Sequence, residues 1–228
     1  MILNNLLNLF FPKLCVICNN PLIEDEEQVC LSCICDLPHT NFHVQEDNPV
    51  VNLFAAEPTV LNATALLYYE KGGKVQRLIH NFKYHGSREL ALQLGRQMAL
   101  NLQNETLYRD VDLLIPVPLH KKRKRKRGYN QSEYLCRGLA SIWEKPIETN
   151  VLFRESSSDT QTRKSFYDRW LNVKEIFIVK NETQLINKHI LLVDDVITSG
   201  STLSACIQAL SNIQNIRISI LALAVTLS

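Results

Sequence analysis

The chain has 228 residues, 46% of them apolar, with 25 Lys and Arg against 23 Asp and Glu and a formal charge of +2. That apolar content can bury a core, and only 7 Gly and 8 Pro are present, which excludes disorder, collagen and coiled coil as whole-chain readings. The charge is unevenly laid out: residues 121–127 read Lys-Lys-Arg-Lys-Arg-Lys-Arg and leave −5 for the remainder.

Residues 1–12 are apolar but have no basic n-region and no small-residue cleavage site. They read as a short amphipathic helix with Leu3, Leu6, Leu7 and Phe10 on one face, docking on the body or on a partner. No run reaches the ~18 apolar residues of a membrane span, so a soluble cytoplasmic protein is expected, with thiols that are metal ligands, reactive or buried rather than paired. Residues 13–40 carry five of the seven cysteines, and 41–60 are polar, contain Pro and show no period, as a linker does.

Beyond residue 60 apolar runs alternate with helical periods. A strand is expected over 63–69, a turn over 70–73, and a helix over 74–83 that buries Val75, Leu78, Ile79 and Phe82. Leu90, Leu94, Met98 and Leu102 mark a second helix. A buried strand over 111–117 leads to the basic run, read as a loop, and to a helix over 131–143 carrying Leu135, Leu139 and Ile142. An irregular section precedes a short apolar strand at 190–193, a helix over 201–210 and a last strand over 216–225. Apolar, non-alternating strands between helices imply an α/β fold with a parallel sheet covered on both faces. The expected divisions are an N-terminal helix and cysteine module over 1–40, a linker over 41–60 and the α/β domain over 61–228.

Cys15-Val-Ile-Cys18 and Cys30-Leu-Ser-Cys33 form two CxxC knuckles eleven residues apart. Two such pairs can surround one tetrahedral Zn²⁺, and a segment this short has little core of its own, so the metal would be structural. The alternatives are a redox motif or unrelated buried cysteines, and Cys35 is a substitute for Cys33 as fourth ligand. Cys136 and Cys206 fall on apolar helix positions and read as buried thiols.

The most informative stretch is Ile190-Leu-Leu-Val-Asp-Asp-Val-Ile-Thr-Ser-Gly-Ser-Thr202. An apolar strand ends in Asp194 and Asp195, and Thr198, Ser199, Gly200, Ser201 and Thr202 open a helix whose N–H groups and dipole favour an anion. No Lys follows the glycine, so this is not a nucleotide triphosphate P-loop. A monophosphate suits the loop and a diol suits the carboxylates, which together describe a sugar phosphate.

The segment 193–202 resembles the signature of type I phosphoribosyltransferases, which bind 5-phosphoribosyl-1-pyrophosphate (PRPP), with Ser199 where a second Thr is common. Within that superfamily the chain resembles the competence protein ComF family almost end to end. The double knuckle, Phe82-Lys-Tyr-His-Gly86, Ile115-Pro-Val-Pro-Leu-His120 leading to Arg127-Gly-Tyr-Asn-Gln131, and Thr160-Gln161 followed by Arg169-Trp-Leu-Asn-Val173 carry this match. The resemblance implies a type I phosphoribosyltransferase-like fold with a PRPP site. Asp194 and Asp195 would hold the ribose and favour its cationic transition state, 198–202 the phosphate, and Arg127, Gly128, Tyr129 and Asn130 the pyrophosphate with Mg²⁺. Residues 154–169 would be a closing loop, with Arg154, Arg163, Lys164 and Arg169 as candidate cations, and 41–69 a hood for the acceptor. His85 and His120 are assigned no role. The family's link to DNA uptake implies single-stranded DNA on Lys121 to Arg127, with Tyr129 stacking on a base, or competence-machinery proteins as partners. Two functions follow as expectations: phosphoribosyl transfer to a nitrogen acceptor, or a non-catalytic DNA-uptake factor.

Overall fold

The computed structural model describes residues 12–84, 87–155 and 176–227. Outside them lie nearly all of the expected N-terminal helix, His85, Gly86, the segments 160–161 and 169–173, and the candidate cations Arg163, Lys164 and Arg169. Four parallel strands form the centre: β1 (Val60–Tyr68), β2 (Leu113–Pro116), β5 (His189–Ile197) and β6 (Arg217–Val225), in the order β1-β6-β5-β2. Register pairs Leu114 with Leu191, and Val193 with Leu221.

Both faces of the sheet are covered, which is why the strands read as continuous apolar runs. Leu191 and Val193 of β5 pack into one core with α3 (Lys74–Tyr84), α4 (Arg88–Asn101) and α7 (Gln131–Trp143), while Ile190 and Leu192 face the other, with α8 (Ser201–Leu210). The closest approach is between α4 and α7, where Gly95 and Gly138 meet. A Cβ on Gly95 would stand 2.3 Å from the Leu135 carbonyl oxygen, and one on Gly138 would stand 2.7 Å from Gly95 Cα. The position of α7, and of the polar residues at its N-terminus, depends on this contact.

Three segments differ from the expectations. The ladder between β5 and β6 runs past Val193 through Asp194 and Val196 to Ile197, because backbone pairing with β6 continues whatever the side chains carry. The basic run is a helix, α6 (Lys121–Arg127), not a loop. Lys and Arg are good helix formers, the His120 ring accepts from the Lys122 N–H, and Gly128 ends the helix at φ +79. The irregular section contains an antiparallel pair, β3 (Leu152–Glu155) and β4 (Ile176–Val179).

Residues 41–60 contain a 3₁₀ turn (Phe42–Val44) and α2 (Pro49–Asn52), and bury Phe42, Val50 and Phe54. Asn48 caps α2 and donates to the Ala63 carbonyl at 3.2 Å, tying the segment to β1. The cysteine-rich segment contains α1 (Leu31–Cys35) and docks on α3 and α4: Gln93 Oε1 accepts from the Gln28 and Val29 N–H groups, and Arg77 donates to the Ile17 carbonyl. The remaining helix is the single turn α5 (Thr106–Arg109).

Candidate functional site

The carboxyl ends of β2 and β5 open onto one cleft of about 160 Å³ whose walls include Arg127, Asn130, Arg154, Asp194, Asp195 and Thr202. Each comes from a different element end, as expected for a ligand site in a parallel sheet. Asn130 caps α7 and donates to the Val117 carbonyl at 3.0 Å, so its side chain is fixed by the chain at the end of β2. Arg127, in the last turn of α6, donates to Gln131 Oε1 at 2.9 Å and lies over the Tyr84 ring. Gln131 is 1% exposed and its amide nitrogen has no partner, which leaves a buried donor in the wall of the cleft. Arg154 on β3 is buried, with its guanidinium over Phe177.

Asp194 Oδ1 accepts from Ser132 Oγ at 3.2 Å and from the Asp195 N–H at 2.8 Å. Burial and the adjacent Asp195 carboxylate push its pKa up to about 7, against the lowering effect of the Asp195 N–H, Lys83 and Ser132. Asp195 forms an ion pair with Lys83 Nζ at 2.9 Å, and both side chains are largely withdrawn from solvent. Below the pair, Thr198, Gly200, Ser201 and Thr202 line a small recess at the start of α8. Gly200 occupies the N-cap at φ +74, no side chain caps the helix, and Ser199 Oγ lies 3.1 Å from Ser201 Oγ. The left-handed backbone there is one that glycine alone adopts without strain.

Gly128 and Tyr129 do not line the cleft. The Tyr129 ring is 4% exposed, its hydroxyl donates to the Phe82 carbonyl, and it meets Tyr134 edge-on. It is therefore neither a pyrophosphate contact nor a stacking platform in this arrangement; it clamps α3 to the chain after α6. Lys83, Gln131 and Ser132 received no role from the sequence. Lys83 follows the buried Phe82 within the quoted motif, and its helical position carries it to the ends of the strands.

The basic helix is exposed from Lys121 to Lys126, and no carboxylate among the described residues pairs with it. Lys121 and Lys124 also border a cleft of about 540 Å³ with Asn150, Phe153, Arg154 and Lys180.

At the other end of the chain the Sγ atoms of Cys15, Cys18, Cys30 and Cys33 lie within 4.8 Å of one another. Four thiolates at ~2.3 Å around a tetrahedral ion would be about 3.8 Å apart, and Cys18 and Cys30 are separated by 3.8 Å. The donor set and spacing fit a metal ion. Cys35 is exposed and stands outside the cluster, while Cys136 and Cys206 are buried in the helices. No helix among the described residues is long and apolar enough to cross a membrane.

Residues 145–225 match the phosphoribosyl transferase domain family. Three similar proteins extend the likeness. The DNA utilization protein YhgH of Escherichia coli O157:H7 is 28% identical over 87% of this chain and 91% of its own length. Competence protein F of Haemophilus influenzae is 33% identical over 56% and 57%, and competence protein ComFC of Bacillus subtilis is 24% identical over 80% and 77%. With the parallel sheet and the four-cysteine module at the N-terminus, these matches make the chain a member of the competence protein ComF family, built on a type I phosphoribosyltransferase-like fold.

Proposed function

We propose that the cleft binds PRPP with Mg²⁺ and supports transfer of its phosphoribosyl group to a nitrogen acceptor. The observation that carries this is the convergence of an uncapped helix N-terminus, two adjacent carboxylates and the Arg127, Asn130 and Arg154 side chains around one cleft. The 5-phosphate takes the loop 198–202, and Asp194 and Asp195 accept from the ribose hydroxyls. Arg127, Asn130 and the Gln131 amide face the pyrophosphate. The acceptor nitrogen bonds to C1 as the C1–O bond to pyrophosphate breaks; the bonding pair leaves with pyrophosphate and the nitrogen's proton passes to water. Positive charge grows on the ribose beside two carboxylates, and such preorganised electrostatics is usually the largest catalytic contribution. Mg²⁺, bound mainly through substrate oxygens, neutralises charge on the leaving group.

Calorimetric titration of PRPP with MgCl₂ into the wild type and the Asp194→Asn/Asp195→Asn double variant tests the reading. Binding to the wild type, lost in the variant, supports it; no binding to the wild type sinks it. Over the divisions 1–40, 41–60 and 61–228, the first carries a structural Zn²⁺ on Cys15, Cys18, Cys30 and Cys33.

A second reading is favoured by the exposed, unpaired basic helix: a DNA-uptake factor that holds single-stranded DNA on Lys121–Arg127, with or without catalysis. The names of its relatives support this role. Phosphate contacts of this kind weaken steeply with salt. Replacing Lys121, Lys122, Lys124 and Lys126 by Gln should weaken oligonucleotide binding and flatten its salt dependence; an unchanged slope removes α6 from the interface.

A further inference from the structure

A recess of about 460 Å³ opens on the other side of the Lys83–Asp195 ion pair from the phosphate cleft. Its walls include Tyr69, Ile79, His80, Lys83, Tyr84 and Asp195. Lys83, Asp195 and Val196 line both cavities, and Thr198 joins the recess to the phosphate loop. We propose that this recess binds a planar nitrogen heteroaromatic base, the acceptor of the transfer; the assignment rests on the PRPP reading.

Placement is the first reason. Displacement at C1 requires the entering and leaving atoms on opposite sides of the carbon. The cations of the cleft lie to one side of Asp194 and Asp195, and the recess lies to the other. Surface chemistry is the second. His80 and Tyr84 stand one helical turn apart on α3 with ring centroids 4.8 Å apart and planes tilted by 37°. Tyr84 is 59% exposed, although burying such a ring is favourable, and Arg127 lies against it, so this wall offers a π face beside a positive edge. A flat, electron-rich ring covers such a wall well, and the volume lies within the ~300–1,000 Å³ of small-molecule sites. Third, the wall comes from α3. The segment 41–69, expected to form the acceptor hood, supplies only Tyr69 to it.

The test uses the full chain with adenine and uracil as probes. Saturation-transfer NMR, with and without PRPP and MgCl₂, should show transfer to at least one probe, and the His80 ring resonances should shift on its addition. Gln76→Trp and Thr226→Trp fill the recess from different walls; either should reduce the transfer about tenfold while PRPP binding by calorimetry persists. Absence of transfer to both probes in wild type that binds PRPP overturns the inference, as does transfer that survives both variants. If wild type fails to bind PRPP yet adenine or uracil shifts His80, the recess stands as a base site and the PRPP reading falls.

Discussion

Replacing Gly95 by Ala tests whether the helix crossing holds the candidate site together. The new Cβ would stand 2.3 Å from the Leu135 carbonyl oxygen and 2.9 Å from Gly138 Cα, whereas ordinary contact begins at 3.4 Å. Both obstacles are backbone, so no side chain can rotate away and the helices must part by about 1 Å. Overpacking of this kind costs ~1–3 kcal/mol, and backbone obstruction argues for the upper end. Alanine returns about 1 kcal/mol of helix propensity. The net loss is about 2 kcal/mol, or a fall in melting temperature of roughly 4–8 °C for a chain of this size. The site should feel the same displacement. Ser132, in the first turn of α7, reaches Asp194 at 3.2 Å, and a further ~1 Å takes it out of hydrogen-bond range. Thermal denaturation of Gly95→Ala, with Asn101→Ala at the exposed end of the same helix as control, measures the first effect; PRPP calorimetry measures the second. A variant as stable as the wild type, or more so, refutes the packing argument.

Asp194 gives a pH signature. Its folded pKa near 7 lies above the ~3.9 of an unfolded Asp, so the stability it contributes is full below that lower value and is lost as pH rises toward 7. Asp194→Asn should therefore be more stable than wild type at pH 8 in urea titrations, with the gap closing toward pH 4; a gap that widens on acidification contradicts the assignment. PRPP needs the carboxylate as an acceptor, so its affinity should rise between pH 6 and 8, with proton release seen as a buffer-dependent enthalpy. Lys83→Met removes the nearest cation and should move that rise to higher pH. For the cysteine module, metal analysis should find about one zinc per chain, lost in Cys15→Ser/Cys18→Ser and retained in Cys35→Ser; loss in Cys35→Ser instead would place the fourth ligand wrongly.

The features legible in the sequence are those whose chemistry is local. Two CxxC pairs bring their own turns, so the four-sulfur cluster follows from spacing. The phosphate loop follows one strand and opens one helix, and that helix begins at Ser201 as its pattern implies. Distant partners left no such trace. Lys83 reaches Asp195 only because α3 crosses the strand ends, and Gly95 meets Gly138 only because two helices pack there. The basic run misled because its seven like charges repel, as in a solvated loop; what the pattern omits is the His120 cap and the Gly128 stop, which close a helix around residues of high propensity. Tyr129 misled for a related reason. Its neighbour Gly128 reverses the chain, and the ring that follows turns inward to Phe82 rather than outward to a ligand.

The charge layout then acquires a mechanical consequence. Lys and Arg side chains one turn apart on α6 repel each other, so the helix stands at a cost that any bound anion lowers. Arg127 is where that helix enters the site: it is half-buried, tied to Gln131 and laid over Tyr84, while its six predecessors remain exposed. An anion in the cleft therefore interacts with the fixed end of a helix whose free part can hold further phosphates. Binding in the cleft and binding along α6 should reinforce one another through helix stability and oppose one another where both anions crowd Arg127. Measuring oligonucleotide affinity with and without saturating PRPP gives the sign of that coupling. A ratio of one would mean that α6 and the cleft act independently, despite sharing Arg127.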